Sequence, residues 1–327
     1  FDFAFPRGVV NATNIVTVEN LTIVTGAGIS NGGTLTLRNI TVRNADAGTN
    51  LGGGVYNSSG DLWIENSHFE HNRANLGSGL YHTGGTMFVI NSTINGNQGG
   101  NGAGILTAGN FTSATIINST IVDNISNSTA GGGIYNTATL TLIGNTIYGN
   151  SAATNGASNV FIGNTSHSNA ILANNLLGGA LGGGADCFAN PTQITFVAPN
   201  LIEDGSCGAA ANGQLTGDPL VDPNGLRFNG GILPTLALTE NSPALNAGDN
   251  TYTTELVAAV DFNNDGDFGD QLDFDQRQAP YARILENTVD LGAYEGTVPV
   301  GSISGRVLAP LLVLIKHSNL QWYKFKG

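Results

Sequence analysis

Two short apolar patterns alternate along the first half of the chain at a regular spacing. The first is a glycine-rich block, of which Gly52 to Asn57 is the clearest copy. Other copies begin at Gly26, Gly77, Gly102 and Gly131, so successive starts lie 26, 25, 25 and 29 residues apart. A period in the twenties is typical of a solenoid in which each repeat forms one coil.

The second pattern is an alternating apolar stretch followed by an asparagine, a small residue, a threonine and an aliphatic residue. Alternation rich in β-branched residues predicts strands, and the intervening glycines and asparagines predict turns. Superposing the repeats gives three apolar columns: Leu37, Ile64, Val89, Ile116 and Leu142; Val42, Phe69, Ile94, Ile121 and Ile147; Ile29, Val55, Leu80, Ile105 and Ile134. Each short strand can pair only with its equivalent one coil away, which gives parallel sheets.

The sequence therefore predicts an all-β protein: a right-handed, single-stranded parallel β-helix (a pectin-lyase-like solenoid) with an irregular C-terminal cap. The high glycine content and the lack of a 3.6-residue apolar stripe disfavour a helical solenoid. We expect coils of about 25 residues over 1–190. Terminal coils and a capping region with an acidic loop follow over 191–295, and a cationic tail, either a strand or a linker, occupies 296–327.

The same alignment predicts contacts between polar residues of neighbouring coils. One turn column consists of Asn72, Asn97, Asn124 and Asn150. Stacked amides of this kind hydrogen-bond from coil to coil. Arg38 falls beside Glu65, and Arg43 falls beside Glu70. Such cross-strand ion pairs contribute about 0.2–1 kcal/mol each.

Charge is distributed unevenly along the 327 residues. Residues 1–295 contain seven arginines, no lysine and all 24 acidic residues, a formal charge of −17, whereas the remaining tail carries +4. Nucleic-acid binding needs clusters of Lys and Arg, so this composition excludes it. The longest apolar run, Val307 to Ile315, is interrupted by Pro310. It is far shorter than the ~20 residues of a membrane helix, so no membrane span is predicted.

Several motifs resemble known bacterial surface proteins. The glycine-rich repeats with Asn-Ser-Thr-Ile resemble β-helix proteins of the polymorphic outer-membrane type. Over residues 20 to 295 the chain resembles the choice-of-anchor Q domain through Asn200 to Cys207, Gly217 to Leu220, Ser242 to Asp249, Asp275 to Arg277 and Asp290 to Glu295. The resemblance implies export and attachment to the cell surface through a C-terminal anchor, with no defined molecular activity. The insertion between Asp261 and Asp273 and the tail, which has no recognised sorting signal, depart from it.

The insertion fits the start of a calcium loop, D-x-[DN]-x-[DN]-G. Oxygen ligands at alternate positions and a glycine at the sixth let a short loop wrap a hard cation. The twelfth position is Leu272 rather than glutamate, so nearby acids must complete the site. The predicted ligand set is Asp261, Asn263, Asp265, Asp267, Asp270 and Asp273. We expect a structural calcium ion; the alternative is a solvated acidic turn.

The two cysteines, Cys187 and Cys207, are separated by about twenty residues. In an exported chain this spacing predicts a disulfide, which stabilises by ~3 kcal/mol through loop closure. The alternative is a pair of buried thiols.

No catalytic residue is predicted. Polysaccharide lyases and hydrolases need a base near calcium or a compact set of carboxylates. The only concentration of ionisable groups in the repeats is Glu65, His68, Glu70 and His71, on one coil. Each glutamate falls beside an arginine of the adjacent coil, and His68 lies in a column otherwise filled by threonine. We therefore interpret the cluster as charged surface residues without a catalytic role. We interpret Asp275 to Arg277 with Asp290 as an internal ion pair that fixes the cap.

Two hypotheses about function follow. The first is an exported, non-catalytic structural β-solenoid at the cell surface or outside the cell: an adhesin, a stalk or a filament subunit. It would bind a surface polysaccharide or a host or cell-surface ligand, or self-associate through the solenoid ends or the cationic tail. The alternative is a polysaccharide-binding or polysaccharide-degrading enzyme of the pectin-lyase-like fold. That alternative needs a line of acids and aromatics on one outer sheet, which the repeats are expected to lack except near Trp63.

Overall fold

The chain forms a β-solenoid of about seven turns. The computed structural model describes residues 8–10, 15–24, 26–153, 156–253 and 272–296. Within these ranges the only helices are two short 3-10 segments, Ala210–Asn212 and Asn250–Thr253. All strand pairs that build the three sheets are parallel, so the predicted parallel β-helix is confirmed.

The three sheets, here named A, B and C, run along the solenoid axis. Sheet A contains two rows of strands joined by the long strands Ile105–Ile117 and Ile134–Ile143. Its first row is Gly8–Val10, Ile29–Asn31, Val55–Asn57, Leu80–His82, Ala157–Ile162 and Ala185–Phe188. Its second row is Ile15–Glu19, Thr34–Arg38, Leu62–Glu65, Gly85–Ile90, Asn169–Ala173 and Ile194–Phe196. Sheet B is Thr22–Val24, Thr41–Arg43, His68–Glu70, Thr93–Asn95, Thr120–Val122, Thr146–Tyr148, Leu176–Gly178 and Leu201–Ile202, and sheet C is Arg73–Ala74, Gln98–Gly99, Ile125–Ser126 and Ser151–Ala152.

The three predicted apolar columns form the core. Ile64 pairs in register with Leu37 on one side and Val89 on the other. The columns also continue past the predicted repeats, since Leu142 pairs with Leu172 and Ile147 is followed by Leu177. Their members from the second coil onward are almost completely buried. Burial of each such side chain contributes about 1.5–3 kcal/mol, so the columns are the main source of stability.

The predicted asparagine ladder is confirmed at the turn after sheet B. The backbone N–H of Asn72 donates to Asn97 Oδ1 at 2.9 Å, and that of Asn97 donates to Asn124 Oδ1 at 3.0 Å. Asn124 repeats the contact to Asn150 at 2.9 Å. Each amide therefore satisfies a buried backbone donor that the sheets leave unpaired.

A second buried polar ladder lies at the turn between sheets A and B, and the sequence analysis did not predict it. Its members are Ser67, Ser92, Ser119, Asn145, Asn175, Asn200 and Gln214. From Ser92 onward each side-chain oxygen accepts the backbone N–H of the preceding member, as Ser92 Oγ does from Ser67 N at 3.1 Å. Within the repeats, the small residue before the threonine, as at Ser92 and Ser119, marks this column in the sequence.

The residue before this ladder has a left-handed backbone. Asn39, Asn66, Asn91 and Asn118 have φ between 48° and 51°, and Gly144 continues the column with φ of 60°. Asparagine and glycine tolerate this conformation better than other residues. A Cβ at Gly144 would lie 2.6 Å from Nη2 of the buried Arg283, so a larger residue there would displace this guanidinium.

The C-terminal region closes one end of the solenoid and then covers one side of it. Around residues 203–217, Cys207 and Ala209 pack against the core and Leu215 forms a bridge with Leu201. The following residues, 218–253 and 272–296, are here called the return segment. They contact the outer face of sheet B from Thr93 to Leu201. The predicted cap is therefore only part of this region, because most of it lies along the flank of the coils.

Candidate functional site

The ionisable side chains of the charged coil are divided between two sheets. Arg38 Nε donates to Glu65 Oε2 at 3.1 Å, which confirms the first predicted ion pair. Arg43 and Glu70 are register neighbours, as predicted, although among the described residues no ion pair joins them. Glu70 instead lies 3.6 Å from Nδ1 of the exposed His71.

His68 is the buried member of this coil. Its Nε2 lies 2.6 Å from Asn95 Oδ1 and 3.9 Å from Glu70. Burial lowers the pKa of His68, so the imidazole is neutral near pH 7. Glu65 lies on sheet A, whereas His68 and Glu70 lie on sheet B. The four side chains consequently do not converge on one reacting centre.

A groove lies on the outer face of sheet A around Trp63. Its volume is about 400 Å³. Outward side chains from three successive coils line it: Thr34 and Thr36, Asp61 and Trp63, Thr86 and Phe88. The Trp63 and Phe88 ring centroids lie 4.9 Å apart at 41°, and Asp61 Oδ1 accepts the backbone N–H of Thr86 at 3.0 Å. Aromatic rings beside a carboxylate and hydroxyl groups offer both apolar and hydrogen-bonding contacts to a ligand.

An aromatic column also runs along the first row of sheet A, and this corrects the expectation that aromatics occur only near Trp63. Its aromatic members are Tyr56, Tyr81, Tyr135, Phe161 and Phe188, and Leu106 occupies the position between Tyr81 and Tyr135. Each follows a core residue directly in sequence, which is the feature that identifies the column. The Tyr135, Phe161 and Phe188 rings lie 4.9 and 5.2 Å apart and within 14° of parallel. Their faces therefore contact one another, which leaves mainly ring edges for a ligand.

The closing motif forms the predicted internal ion pair. Arg277 Nε donates to Asp275 Oδ2 at 2.8 Å, and both residues are buried. The Arg277 guanidinium lies 3.9 Å from the ring centroids of both Tyr281 and Tyr294. These cation–π contacts add to the ion pair in holding the motif.

Three further charged residues extend this network. Arg283 Nη1 lies 2.8 Å from Glu295 Oε1, and the backbone N–H of Asp290 donates to the Glu295 carboxylate at 3.1 Å. Asp290 itself accepts the backbone N–H of Asn246 at 2.6 Å. Burial raises the pKa of both Asp290 and Glu295, which Arg283 opposes. The network lies in the interior and holds the return segment in place.

Gln276 connects the network to the solenoid wall. Its Nε2 donates to Thr93 Oγ1 at 2.8 Å and to Ser92 O at 3.0 Å, and its Oε1 accepts the hydroxyl of Thr120. The threonine column of sheet B thus faces the return segment. Composition and spacing did not indicate this role for the threonines.

At the C-terminal end of the solenoid two acids join the last coil to the closing turn. Asp186 Oδ2 accepts the backbone N–H of Asp204 at 3.1 Å, and Asp204 Oδ2 accepts that of Asp186 at 3.0 Å. Asp186 also accepts from Asn159 Nδ2 at 2.8 Å, which extends the asparagine ladder. Burial is the main cause that raises the pKa of Asp186 to about 6, and the neighbouring negative charge of Asp204 adds to it.

The predicted disulfide is present between Cys187 and Cys207, whose Cα atoms lie 5.4 Å apart. Cys187 pairs in register with Val160 and so continues an apolar core column. The bond therefore links the end of the core to the turn that covers it.

The predicted calcium loop lies outside the described residues, except for Asp273. Asp273 is exposed, and its backbone oxygen accepts the N–H of Arg283 at 2.8 Å. In the described ranges no group of three or more His, Cys, Asp or Glu side chains is arranged to hold a metal ion. Calcium binding stays a prediction.

Comparisons with known proteins do not assign the chain to a family. No family model matches the chain, and no curated protein or solved structure shows significant similarity to it. In the part of the chain that the structure describes, no helix has the length and apolarity needed to span a membrane.

Proposed function

We propose that the protein is an exported structural β-solenoid that acts without catalysis at the bacterial cell surface or in the extracellular space, as a stalk, adhesin or filament subunit. One observation carries the proposal: the ionisable clusters are used to hold the chain together. Arg277 and Arg283 fix the return segment, and Asp186 fixes the end of the solenoid. The Cys187–Cys207 disulfide supports an oxidising compartment.

The architecture suits a mechanical role. Seven turns at a strand spacing of about 4.8 Å give a rod of roughly 34 Å. In an ordinary solenoid each coil contacts only its neighbours. Here the return segment contacts several coils at once, because Gln276 bonds to Ser92 and Thr120 while the Ala293 N–H donates to Thr146 Oγ1 at 2.9 Å. It therefore connects coils that are not direct neighbours.

A second candidate function is carbohydrate binding in the Trp63 groove. Trp63 and Phe88 offer apolar surface, and Asp61 with the three threonines offers hydrogen-bonding groups to a hydroxyl-rich ligand. Among the described residues Asp61 is the one acid that lines this groove, and the proposal is therefore limited to binding, since hydrolysis uses two carboxylates.

Incubation of the full chain with a panel of neutral and acidic polysaccharides tests both candidates. We expect no new reducing or unsaturated ends from any substrate. Turnover that is lost in Glu65→Gln or Glu70→Gln would overturn the scaffold proposal. Binding without turnover that is lost in Trp63→Ala, but kept in the control Phe161→Ala from the aromatic column, would establish the second candidate. Negative-stain images of the same sample then show whether the rods associate.

A further inference from the structure

A second groove lies between the outer face of sheet B and the return segment, and its volume is about 330 Å³. Val122, Asp123 and Tyr148 form the solenoid side. Asp218, Asp222 and several apolar residues, among them Leu220, Leu226 and Leu236, form the opposite side. The groove thus has an apolar wall and an acidic rim.

Negative charge at this groove is poorly neutralised. Among the described residues that line it none is a lysine or an arginine, and the adjacent Arg227 forms an ion pair with Asp222 alone within the described ranges. Burial raises the pKa of Tyr148, and the nearby Glu203, Asp218, Asp186 and Asp123 raise it further. The phenol ring therefore lies in a strongly negative environment, which favours an occupant with a positive charge.

One segment of the chain is both apolar and basic, and so complements the apolar, acidic groove. Residues 1–295 contain no lysine, and the chain's three lysines, Lys316, Lys324 and Lys326, all follow Gly296. Lys316 comes directly after the apolar run from Val307 to Ile315. An apolar stretch that ends in a cation matches an apolar wall beside acids, because burial and charge pairing then act on adjacent residues.

The described chain ends close to the groove. A Cβ on Gly296 would lie 3.8 Å from Leu238 Cβ, and Leu238 bridges Val221, which lines the groove. The twenty residues from Gly296 to Lys316 reach up to about 70 Å when extended. The distance is thus no obstacle to contact within one chain.

We propose that residues 307–316 of the same chain occupy this groove, with the apolar run against Leu220, Leu226 and Leu236 and Lys316 beside Asp218 and Asp222. The inference does not depend on the scaffold proposal, because it concerns which surface the tail covers and not what the rod does.

Zero-length coupling of amines to carboxylates with a carbodiimide tests this in the full chain. Since all lysines lie in the tail, every lysine–acid product reports a tail contact. In the monomer fraction we expect Lys316 to couple to Asp123, Asp218 or Asp222 on the order of tenfold more than to the exposed Asp61, because docking raises the effective concentration. Coupling spread over exposed acids in proportion to exposure would overturn the proposal.

A charge-removal variant provides the matched comparison. Asp218→Asn combined with Asp222→Asn keeps the acceptor that Asp218 offers to the Leu220 N–H and removes the charges. We expect about a tenfold loss of Lys316 coupling to the remaining Asp123, with no loss in a control that combines Asp61→Asn and Glu240→Gln. Equal losses in the two variants would contradict docking in this groove.

Two further measurements use the unmodified chain and therefore do not depend on whether the variant folds. In the unmodified chain, high salt should reduce the Lys316 products at the groove, because screening weakens charge pairing. Salt-independent groove products would count against the proposal. Products found only in covalent dimers would assign the groove to the tail of a second copy and overturn docking within one chain.

Discussion

The solenoid and the return segment differ in the partners of their buried polar groups. In the solenoid each buried polar group meets an equivalent group one coil away, as Asn97 and Asn124 do. In the return segment nothing repeats, and buried cations such as Arg277 and Arg283 pair with carboxylates of the same segment, Asp275 and Glu295. The solenoid is therefore stabilised by many similar hydrogen bonds, and the return segment by a few buried ion pairs.

This difference predicts how each region responds to substitution. Contributions in a solenoid are roughly sums over coils and their neighbours, so a single change acts locally. Removing one partner of a buried charge network leaves the other uncompensated, which is costly. Substitutions in the return segment should therefore have larger effects than those in a solenoid ladder.

The largest effect is expected for Arg277→Leu. The change leaves Asp275 buried without its cation and removes the contacts to Tyr281 and Tyr294. We expect the free energy of unfolding in urea to fall by about 3–5 kcal/mol. The matched control is Arg227→Leu, because Arg227 is half exposed and pairs with Asp222 at the surface, so its loss should cost about 0–1 kcal/mol. Equal losses in the two variants would refute the distinction between the regions.

The solenoid was predictable because its period fixes its register. Once Leu37 and Ile64 are aligned, every other pairing in the repeats follows, and the asparagine ladder follows with them. The aromatic column from Tyr56 to Phe188 obeys the same period. The apolar columns that define the repeat consist of inward residues, whereas these aromatic side chains point outward, so the core pattern does not predict them.

The path of the return segment was not predictable from periodicity. Gln276 bonds to Ser92 across 184 residues, and no repeat relates the two positions. The Asp275–Arg277 pair could be predicted because its partners are two residues apart. The pairing of Arg283 with Glu295 could not, because it depends on how the segment folds back on itself. Cys187 and Cys207 were predictable as the only cysteines in the chain.

A smaller effect is expected for Asn97→Ala in the ladder. The change leaves the Asn72 N–H without its acceptor and the Phe69 carbonyl without the amide that donates to it at 3.0 Å. We expect a loss of about 2–3 kcal/mol, since a buried unsatisfied group costs ~1–3 kcal/mol. Asn164→Ala, at an exposed position, should stay within about 0.5 kcal/mol.

Hydrogen exchange sharpens the same comparison. In Asn97→Ala the amides of the two adjoining coils should exchange faster, while those of the network around Arg283 keep their protection. Uniformly faster exchange throughout the chain would mean that the ladder and the return segment unfold as one unit, which would contradict the local behaviour expected of the solenoid.

The smallest effect concerns the pH dependence of the solenoid end. The pKa of Asp186 is raised to about 6 from its usual 3.8, so the unfolded chain loses this proton first as pH rises. The contribution of Asp186 to stability is therefore greatest below about pH 4, declines towards pH 6 and is level above it. The pKa of Asp204 is lowered, because hydrogen bonds from Ser206 and Asp186 together outweigh burial. The contribution of Asp204 therefore changes only below about pH 4 and does not offset this decline. We expect a decline of about 2 kcal/mol. In Asp186→Asn the decline between about pH 4 and pH 7 should disappear from urea unfolding curves, whatever the absolute stability of the variant. An unchanged slope would show that Asp186 is ionised throughout this range and that its backbone donors compensate fully for burial.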